Sequence, residues 1–389
     1  VRPKGRRPEV ALIVETSVIY GRQILMGICR YLRAHGSWSA FLDERELRTP
    51  PPAWLSHWRG DGVICRSTNA EWARVFRRRK LPVVDLNDLY LDLGLPRIGS
   101  DMHAIGRLGA EHLRERGFRH LAFCGFSGEA WSEQRRDGFA AALRDLPEPV
   151  GVYESPWAGL RKHPWQEERN RIARWLRALP RPLAIMACND VRGQHVLDAC
   201  KHLGARVPDE IAVVGVDNAQ TFCELCDPPL SSVMPNAERI GFEAAQLLDR
   251  LMAGAKAPAE NLLIEPLEVV TRQSSDVFAV EDPLVSRAAR FIRDHACRGI
   301  KVSDVLSEVN CSRSVLERRF REQIGRSPQA AIREVQLRRI RQLLAETDWK
   351  LPRIAEAAGI DNPEYLSVVF KRETGRTPNQ FRQAWRPEA

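Results

Sequence analysis

Two sets of side chains in this 389-residue chain have types and spacings that could do chemistry. The first lies towards the C-terminus, where one skeleton occurs twice, at Val302–Pro328 and Leu351–Pro378. A short apolar helix and a tight turn lead to a second helix with Leu and Phe four apart (Leu316 and Phe320; Leu366 and Phe370), then Gly-Arg-Ser/Thr-Pro. Short helix, turn and basic second helix is the helix-turn-helix pattern, whose second helix enters a DNA major groove while its apolar side rests on the first. With Leu316 and Phe320 inward, Arg313, Ser314, Glu317, Arg318 and Arg321 fall on the open face. There a guanidinium pairs with guanine edges or phosphates, and a carboxylate accepts from cytosine. One such pattern is weak evidence, because helical hairpins are common in cores. Two in tandem, joined by a long helix at Pro328–Glu346, weigh far more.

The second set is spread over the first two thirds of the chain: Asp101, Arg135, Asn189, Asp190 and Asp217, each following a strand-like run or standing at or in a predicted helix. A sugar presents a ring of hydroxyls, so its site needs carboxylates and amides in fixed forks, with an apolar or aromatic plate against the ring. Tyr20 and Arg22, at the first strand-to-helix turn, are candidates from the near side of such a site. The competing reading is capping, since Asp101, Asp190 and Asp217 stand near predicted helix starts, where Asp satisfies free N–H groups. Tyr20 and Arg22 read equally well as a turn with a surface arginine.

The elements that must position these residues follow from periodicity. Strand-like runs at Glu9–Val14, Trp38–Leu42, Asp61–Cys65, Leu81–Leu86, His120–Cys124, Gly151–Tyr153, Leu183–Cys188 and Ile211–Val216 alternate with helical stretches at Tyr20–Ala34, Ile105–Arg116, Glu133–Leu143, Trp165–Leu179 and Val191–Leu203. Such alternation predicts parallel sheets covered on both faces, and about ten strands are more economical as two lobes than as one sheet. Ligands then sit at the carboxyl ends of the strands, in the crevice between lobes. The pattern stops at 276–283, a predicted linker, after which only helical periodicity remains. The expected organisation is a basic tail (1–8), a two-lobed domain (9–275), the linker, and an all-helical domain (284–386) with helix-turn-helix units at 302–323 and 351–373.

At this point the residues resemble known families. From about Pro283 to Arg386, including Gly375-Arg376-Thr377-Pro378-Asn379-Gln380-Phe381-Arg382, the chain is similar to the AraC/XylS-type DNA-binding domain. That resemblance implies seven helices and two recognition helices. By position, Ser314, Glu317 and Arg318 would meet bases in the first half, and Asn362, Glu364, Ser367 and Val368 in the second. Val368 stands where several members have Arg, which implies positioning or apolar contact there. Residues 9 to 272 resemble the LacI/GalR-type sensor, of periplasmic-binding-protein-like fold, through Gly99-Ser100-Asp101, Arg135-Arg136-Asp137-Gly138-Phe139, Ala187-Cys188-Asn189-Asp190 and Val214-Gly215-Val216-Asp217-Asn218. A sensor of this type fused to an AraC-type reader is similar to regulators of pentose utilisation. The resemblance implies an activator with D-xylose as effector, a homodimer on directly repeated operator half-sites of double-stranded DNA, and RNA polymerase as a further partner.

Charge agrees with a nucleic-acid partner at one end. Residues 285–389 hold 21 Lys and Arg against 13 Asp and Glu, whereas the rest of the chain is nearly neutral. Apolar runs of four to six residues fall far short of the roughly 18 to 20 that span a bilayer, and Glu9 with its short run does not make a signal peptide, so a cytoplasmic chain is expected. The nine cysteines are scattered, and Cys223-Glu224-Leu225-Cys226 lacks a second pair at zinc spacing. No cofactor or metal is expected. Phosphate-loop, zinc-hydrolase and nucleophile-elbow patterns are missing, which speaks against a sugar-metabolising enzyme with a helical tail. A transport binding protein does not fit the basic helical end. His112, His120, His163, His195 and His202 are isolated and expected at the surface or as caps. Arg77-Arg78-Arg79-Lys80 is expected as a solvated helix end, and Trp54, Trp58 and Trp72 as core.

Overall fold

The computed structural model describes residues 6–385 apart from 37, 43, 45, 47, 48, 91, 148, 158–164 and 278–281. Most of the basic tail, four linker residues, His163 and Arg386 lie outside the described residues. The chain forms two compact units, Val1–Asp276 and Val277–Ala389.

In the first unit, β1 (Glu9–Ile13), α1 (Ile19–His35), β2 (Ser39–Leu42), β3 (Gly62–Cys65), α2 (Ala70–Arg79), β4 (Val83–Asp85) and β5 (Ile98–Ser100) begin one lobe. The chain then builds a second lobe from α3 (Met102–Arg114), β6 (His120–Ser127), α4 (Ala130–Ala141), β7 (Gly151–Pro156), α5 (Trp165–Arg177), β8 (Leu183–Ala187), α6 (Asp190–Leu203), β9 (Ile211–Val216), α7 (Gln220–Leu225) and β10 (Ser231–Met234). It returns to the first lobe with α8 (Ala237–Met252), packed on α1, and β11 (Leu262–Ile264), paired with β5. It ends in β12 (Glu268–Val270), antiparallel to β10. The sheet orders are β2-β1-β3-β4 and β12-β10-β9-β8-β6-β7, parallel except for β12. This is the two-lobed α/β architecture of periplasmic binding proteins.

The first strand of each lobe, β1 or β6, is flanked on both sides by later strands. Strand order reverses beside it, and the carboxyl ends of the strands open there into a crevice. β1 shows why these runs become central strands. Val10, Leu12 and Val14 pack in one core with Ile24 and Ile28 of α1 and Leu248 of α8, while Ala11 and Ile13 pack in another with Leu55, Phe76 and Val83. Both faces are covered, so the run is continuously apolar rather than alternating. Trp54, Trp58 and Trp72 pack against that second core, as expected. His112 departs from expectation: it is buried, and desolvation first, then the Arg116 charge, pushes its pKa down to about 3. The short strands β5, β10, β11 and β12, at three or four residues each, carry too few positions to show a period.

Helices meet through glycine where backbones must touch. A Cβ on Gly106 of α3 would lie 2.0 Å from the Arg135 carbonyl oxygen of α4, and one on Gly138 would lie 2.2 Å from that of His103. The same device joins α1 to α8, where a Cβ on Gly241 would meet the Ile24 oxygen at 1.9 Å.

The second unit contains, among the described residues, seven α-helices: α9 (Pro283–His295), α10 (Val302–Val309), α11 (Arg313–Ile324), α12 (Pro328–Glu346), α13 (Leu351–Ala357), α14 (Pro363–Thr374) and α15 (Pro378–Trp385). Each helix-turn-helix has its own core. Val285, Ile292, Val305, Leu316, Phe320 and Ile332 form the first; Leu337, Ile340, Ile354, Leu366 and Phe370 form the second. α12 contributes to both. The repeated Gly-Arg-Ser/Thr-Pro is a stop and a start: Gly325 and Gly375 close α11 and α14 at φ 75° and 72°, and Pro328 and Pro378 open the next helix.

Gly106→Ala tests the backbone contact between α3 and α4. Overpacking at such a site costs about 1–3 kcal/mol, so the sensor unit should melt several degrees lower. An unchanged melting temperature would show that α3 can shift freely.

Candidate functional site

The crevice of the first unit is lined from both lobes by charged groups at strand ends. From the first lobe come Glu15 after β1, Arg66 after β3 and Asp88 after β4. The Arg66 guanidinium pairs through Nη1 with Glu15 and through Nη2 with Asp88 Oδ2 at 2.6 Å, and lies 4.7 Å from the Tyr20 ring centroid. All three side chains are at most 14% exposed. Asp88 is held in place by its neighbours: Asn87 Oδ1 accepts from the Leu89 and Tyr90 amides, Asn87 Nδ2 donates to Asp85, and Arg97 Nε donates to the Asn87 carbonyl. Yet Asp88 Oδ1 and Arg66 Nε are buried without a hydrogen-bond partner. Tyr20 shares a 2.8 Å hydrogen bond with Ser100. Burial first, then the Asp88 charge, raises its phenol well above the ordinary range, so it is neutral.

The second lobe supplies Arg135 and Asp217. Arg135, 4% exposed on α4, donates through Nη1 to the Cys188 carbonyl at 2.6 Å and pairs through Nη2 with Asp217 Oδ1 at 3.5 Å. Its guanidinium lies 5.1 Å from the Trp131 ring centroid. Trp131 packs in turn with Phe126 and Trp157, an aromatic face at the ends of β6 and β7. Asp217 follows β9 with φ 104° and Asn218 with φ 46°, a conformation non-glycine residues rarely adopt and one often stored at ligand sites. Burial first raises the Asp217 carboxyl; the charges of Arg135 and Arg66 oppose this and that of Asp88 adds to it. The two lobes' clusters thus lie within each other's field.

Not every predicted residue joins this group. Asp190 is buried beneath the 217–219 turn: Oδ2 accepts from the Ala219 amide at 2.8 Å and Oδ1 from the Ser232 hydroxyl at 2.6 Å. It positions the turn that carries Asp217. Gly215 is small for the same reason, since a Cβ there would lie 2.4 Å from Asp190 Oδ1. Asn189 Oδ1 caps α6 through the Arg192 amide, and Asp101 Oδ1 caps α3 through the Ala104 amide, the competing role weighed from sequence. Arg22 donates to the Thr16 carbonyl at an exposed position. Arg66, Asp88, Glu15 and Trp131 were missed. The rule that singled out Asp217, a polar residue just after a strand-like run, fits Arg66 and Asp88 equally.

In the second unit, the open face of α11 carries Arg313 paired with Glu317, Arg318 paired with Glu322 at 3.5 Å, and exposed Ser314 and Arg321. On α14, Asn362 Oδ1 caps the helix through the Glu364 and Tyr365 amides, and the Ser367 hydroxyl donates to the Pro363 carbonyl, while Glu364 and Val368 are exposed. Gln336 of α12 ties the halves together, donating through Nε2 to the Ala296 and Gly359 carbonyls, both at 3.1 Å. Among the described residues no cluster of His, Cys, Asp or Glu could hold a metal, and no helix is long and apolar enough to cross a membrane.

Comparison with known proteins covers the whole chain. The family described as XylR N-terminal domain matches residues 9–94, that described as periplasmic binding protein-like domain matches 110–275, and that described as helix-turn-helix domain matches 305–384. The xylose operon regulatory protein of Escherichia coli strain K12 is 34% identical over 387 residues, 97% of each chain. That of Haemophilus influenzae Rd is 33% identical over 385 residues, 96% of this chain and 98% of its own. A solved structure described as the xylose-binding transcription activator XylR superposes with a TM-score of 0.71 at 32% identity, covering 98% of this chain and 99% of its own.

The buried carboxylates predict a pH dependence. Desolvation first, then the Asp217 charge, pushes Asp190 up to about 7, and desolvation pushes Asp85 up to about 6. The folded chain therefore keeps protons that the unfolded chain releases near pH 4. Their contribution is full below that pH and is lost as pH rises through about 6 to 7. Asp190→Asn should flatten the fall in melting temperature between pH 5 and 8, leaving the Asp85 part. An unchanged slope would mean that Asp190 is ionised throughout.

Proposed function

The chain belongs to the family of xylose operon regulatory proteins and is a DNA-binding transcription regulator, and from that premise we propose that its sensor binds D-xylose in the crevice between its lobes. The observation that carries this reading is the pair of unsatisfied buried atoms, Asp88 Oδ1 and Arg66 Nε, opposite Asp217 and Arg135. A buried polar atom without a partner costs about 1–3 kcal/mol, more when charged. A hydroxylated ring between the lobes supplies donors to the carboxylates and an acceptor to the arginine. Trp131 offers the apolar plate, Tyr20 a neutral hydroxyl, and Asn189 its amide NH2. Asp101 and Asp190 support the site from caps and turns.

The effector favours whichever lobe arrangement it binds better and so shifts how the helix-turn-helix pair engages its operator. The regulator acts as an activator that recruits RNA polymerase, working as a homodimer through the first lobe on directly repeated half-sites.

Calorimetric titration with D-xylose and a panel of pentoses and hexoses tests the effector. Removing one partner of a buried charged hydrogen bond costs about 2–5 kcal/mol, so Asp217→Ala and Asp88→Ala should each abolish measurable binding. Each substitution also takes a partner from a buried arginine and should lower the melting temperature of the ligand-free chain, so the titration is run where both variants remain folded by circular dichroism. Full affinity in both variants would remove the crevice from the mechanism, and a hexose binding more tightly would replace xylose. Sedimentation showing a monomer at micromolar concentration, with and without sugar and operator, would defeat the dimer.

A further inference from the structure

The large apolar side chains that the second unit exposes, among the described residues, are Tyr365 at 48% and Val368 at 65%. Both lie on α14, three residues apart, so they share one face of the helix. That face borders the one on which Leu366, Val369 and Phe370 are buried and turns outward from it. An isolated exposed hydrophobe needs no explanation, but two adjacent ones on a helix placed to enter a groove do. They are also held in position. Asn362 caps the turn that carries Tyr365, and Arg333 of α12 donates to the Tyr365 hydroxyl at 3.1 Å.

The equivalent positions of α11, fifty residues earlier in the repeat, are Val315 and Arg318. There the exposed residue is a guanidinium. The two recognition helices therefore present different chemistries, charged on α11 and apolar on α14. Exposed Lys371 and Arg372 follow on the last turn of α14, Arg372 paired with Glu373 at 2.9 Å, and their cationic groups complement phosphate. An apolar pair flanked by cations fits one feature of a DNA major groove: the C5 methyl of thymine, the apolar group that the base edges present there.

We propose that Tyr365 and Val368 are specificity-determining residues that read thymine methyl groups in the half-site bound by α14. This rests on the DNA-binding role of the second unit and specifies what its second helix recognises. Tyr365 packs its ring edge against a methyl while Arg333 fixes its hydroxyl, and Val368 covers a methyl one or two base pairs along.

The test uses the full chain with D-xylose and an operator first selected from a random duplex library. Each thymine of that operator is then replaced singly by uracil, which keeps every hydrogen-bonding group and removes only the methyl. Burying one such group is worth about 0.8 kcal/mol, or about fourfold in affinity. Wild type should lose about fourfold at one or two thymines of the α14 half-site. In Val368→Ser or Tyr365→Ser the loss at the matching position should vanish, because the methyl no longer has a partner. Both residues are exposed, and matching melting temperatures for variants and wild type check that folding is kept. Binding that is indifferent to uracil throughout the α14 half-site, or losses equally large in both variants, would overturn the proposal. Failure to select any operator would instead count against the DNA-binding role itself.

Discussion

The sensor depends on how buried charges are paired. Arg66 is shared between Glu15 and Asp88, and Arg135 between the Cys188 carbonyl and Asp217, so each lobe offsets most of its own desolvation cost. The first lobe does not do so completely: Asp88 Oδ1 and Arg66 Nε stay unmatched. A site satisfied within each lobe would have no reason to bind, and one left wholly unpaired would not fold. The crevice lies between these limits, with the remaining demand directed at a ligand that donates and accepts on the same ring.

Much of the rest exists to keep those charges where they are. Asp190 accepts from the Ala219 amide with one oxygen and from the Ser232 hydroxyl with the other, Ser232 in turn accepts from the Asn218 amide, and Arg272 holds the Asn218 side chain, so the positive φ of Asp217 is over-determined by its surroundings. Arg135 is placed by the glycine contact between α3 and α4, where Gly106 lies against the Arg135 carbonyl itself. The same economy appears in the second unit, where one α12 serves two cores and one amide, that of Gln336, sets the spacing of the two helix-turn-helix halves.

The sequence made these features legible to different degrees, for physical reasons. The β-α alternation and the repeat were readable because they are periodic, and because α11 ends at Gly325 and α12 begins at Pro328, where backbone preference is strongest. Asp217 follows a strand and Arg135 lies in a predicted helix, and the resemblance quoted both; Asp88 and Arg66 follow strands as Asp217 does but were in no quoted motif, and were passed over. Asp101 and Asn189 show the converse difficulty. A polar residue at a strand-to-helix junction can cap the helix or face the ligand, and residue type alone does not separate the two, because the free N–H groups of a helix's first turn and the hydroxyls of a sugar both donate to the same oxygen. Only the direction of the side chain decides. Gln336 carried no signal at all, since its role depends on two carbonyls distant in sequence.

The point at which the chain enters the DNA-binding unit has its own consequence for regulation. Asp282 caps α9 through the Leu284 and Val285 amides with one oxygen and pairs with Arg319 of α11 at 3.1 Å with the other. Arg287 of α9 in turn donates to the Val309 carbonyl at the end of α10. The first helix-turn-helix is therefore fastened to Asp282 at the end of the linker, whereas the second meets this half through Gln336 of α12 and at the turn between α13 and α14, where Gly359 lies against Cys297 and Gly299. Asp282 thus touches α11 directly, and α14 only through intervening contacts. The half with the charged reading face is the one coupled most closely to the sensor's connection, and the half with the apolar face is the more insulated. The two reading heads therefore differ in how they are tied to the residue that enters the unit, α11 by an ion pair and α14 by relayed contacts.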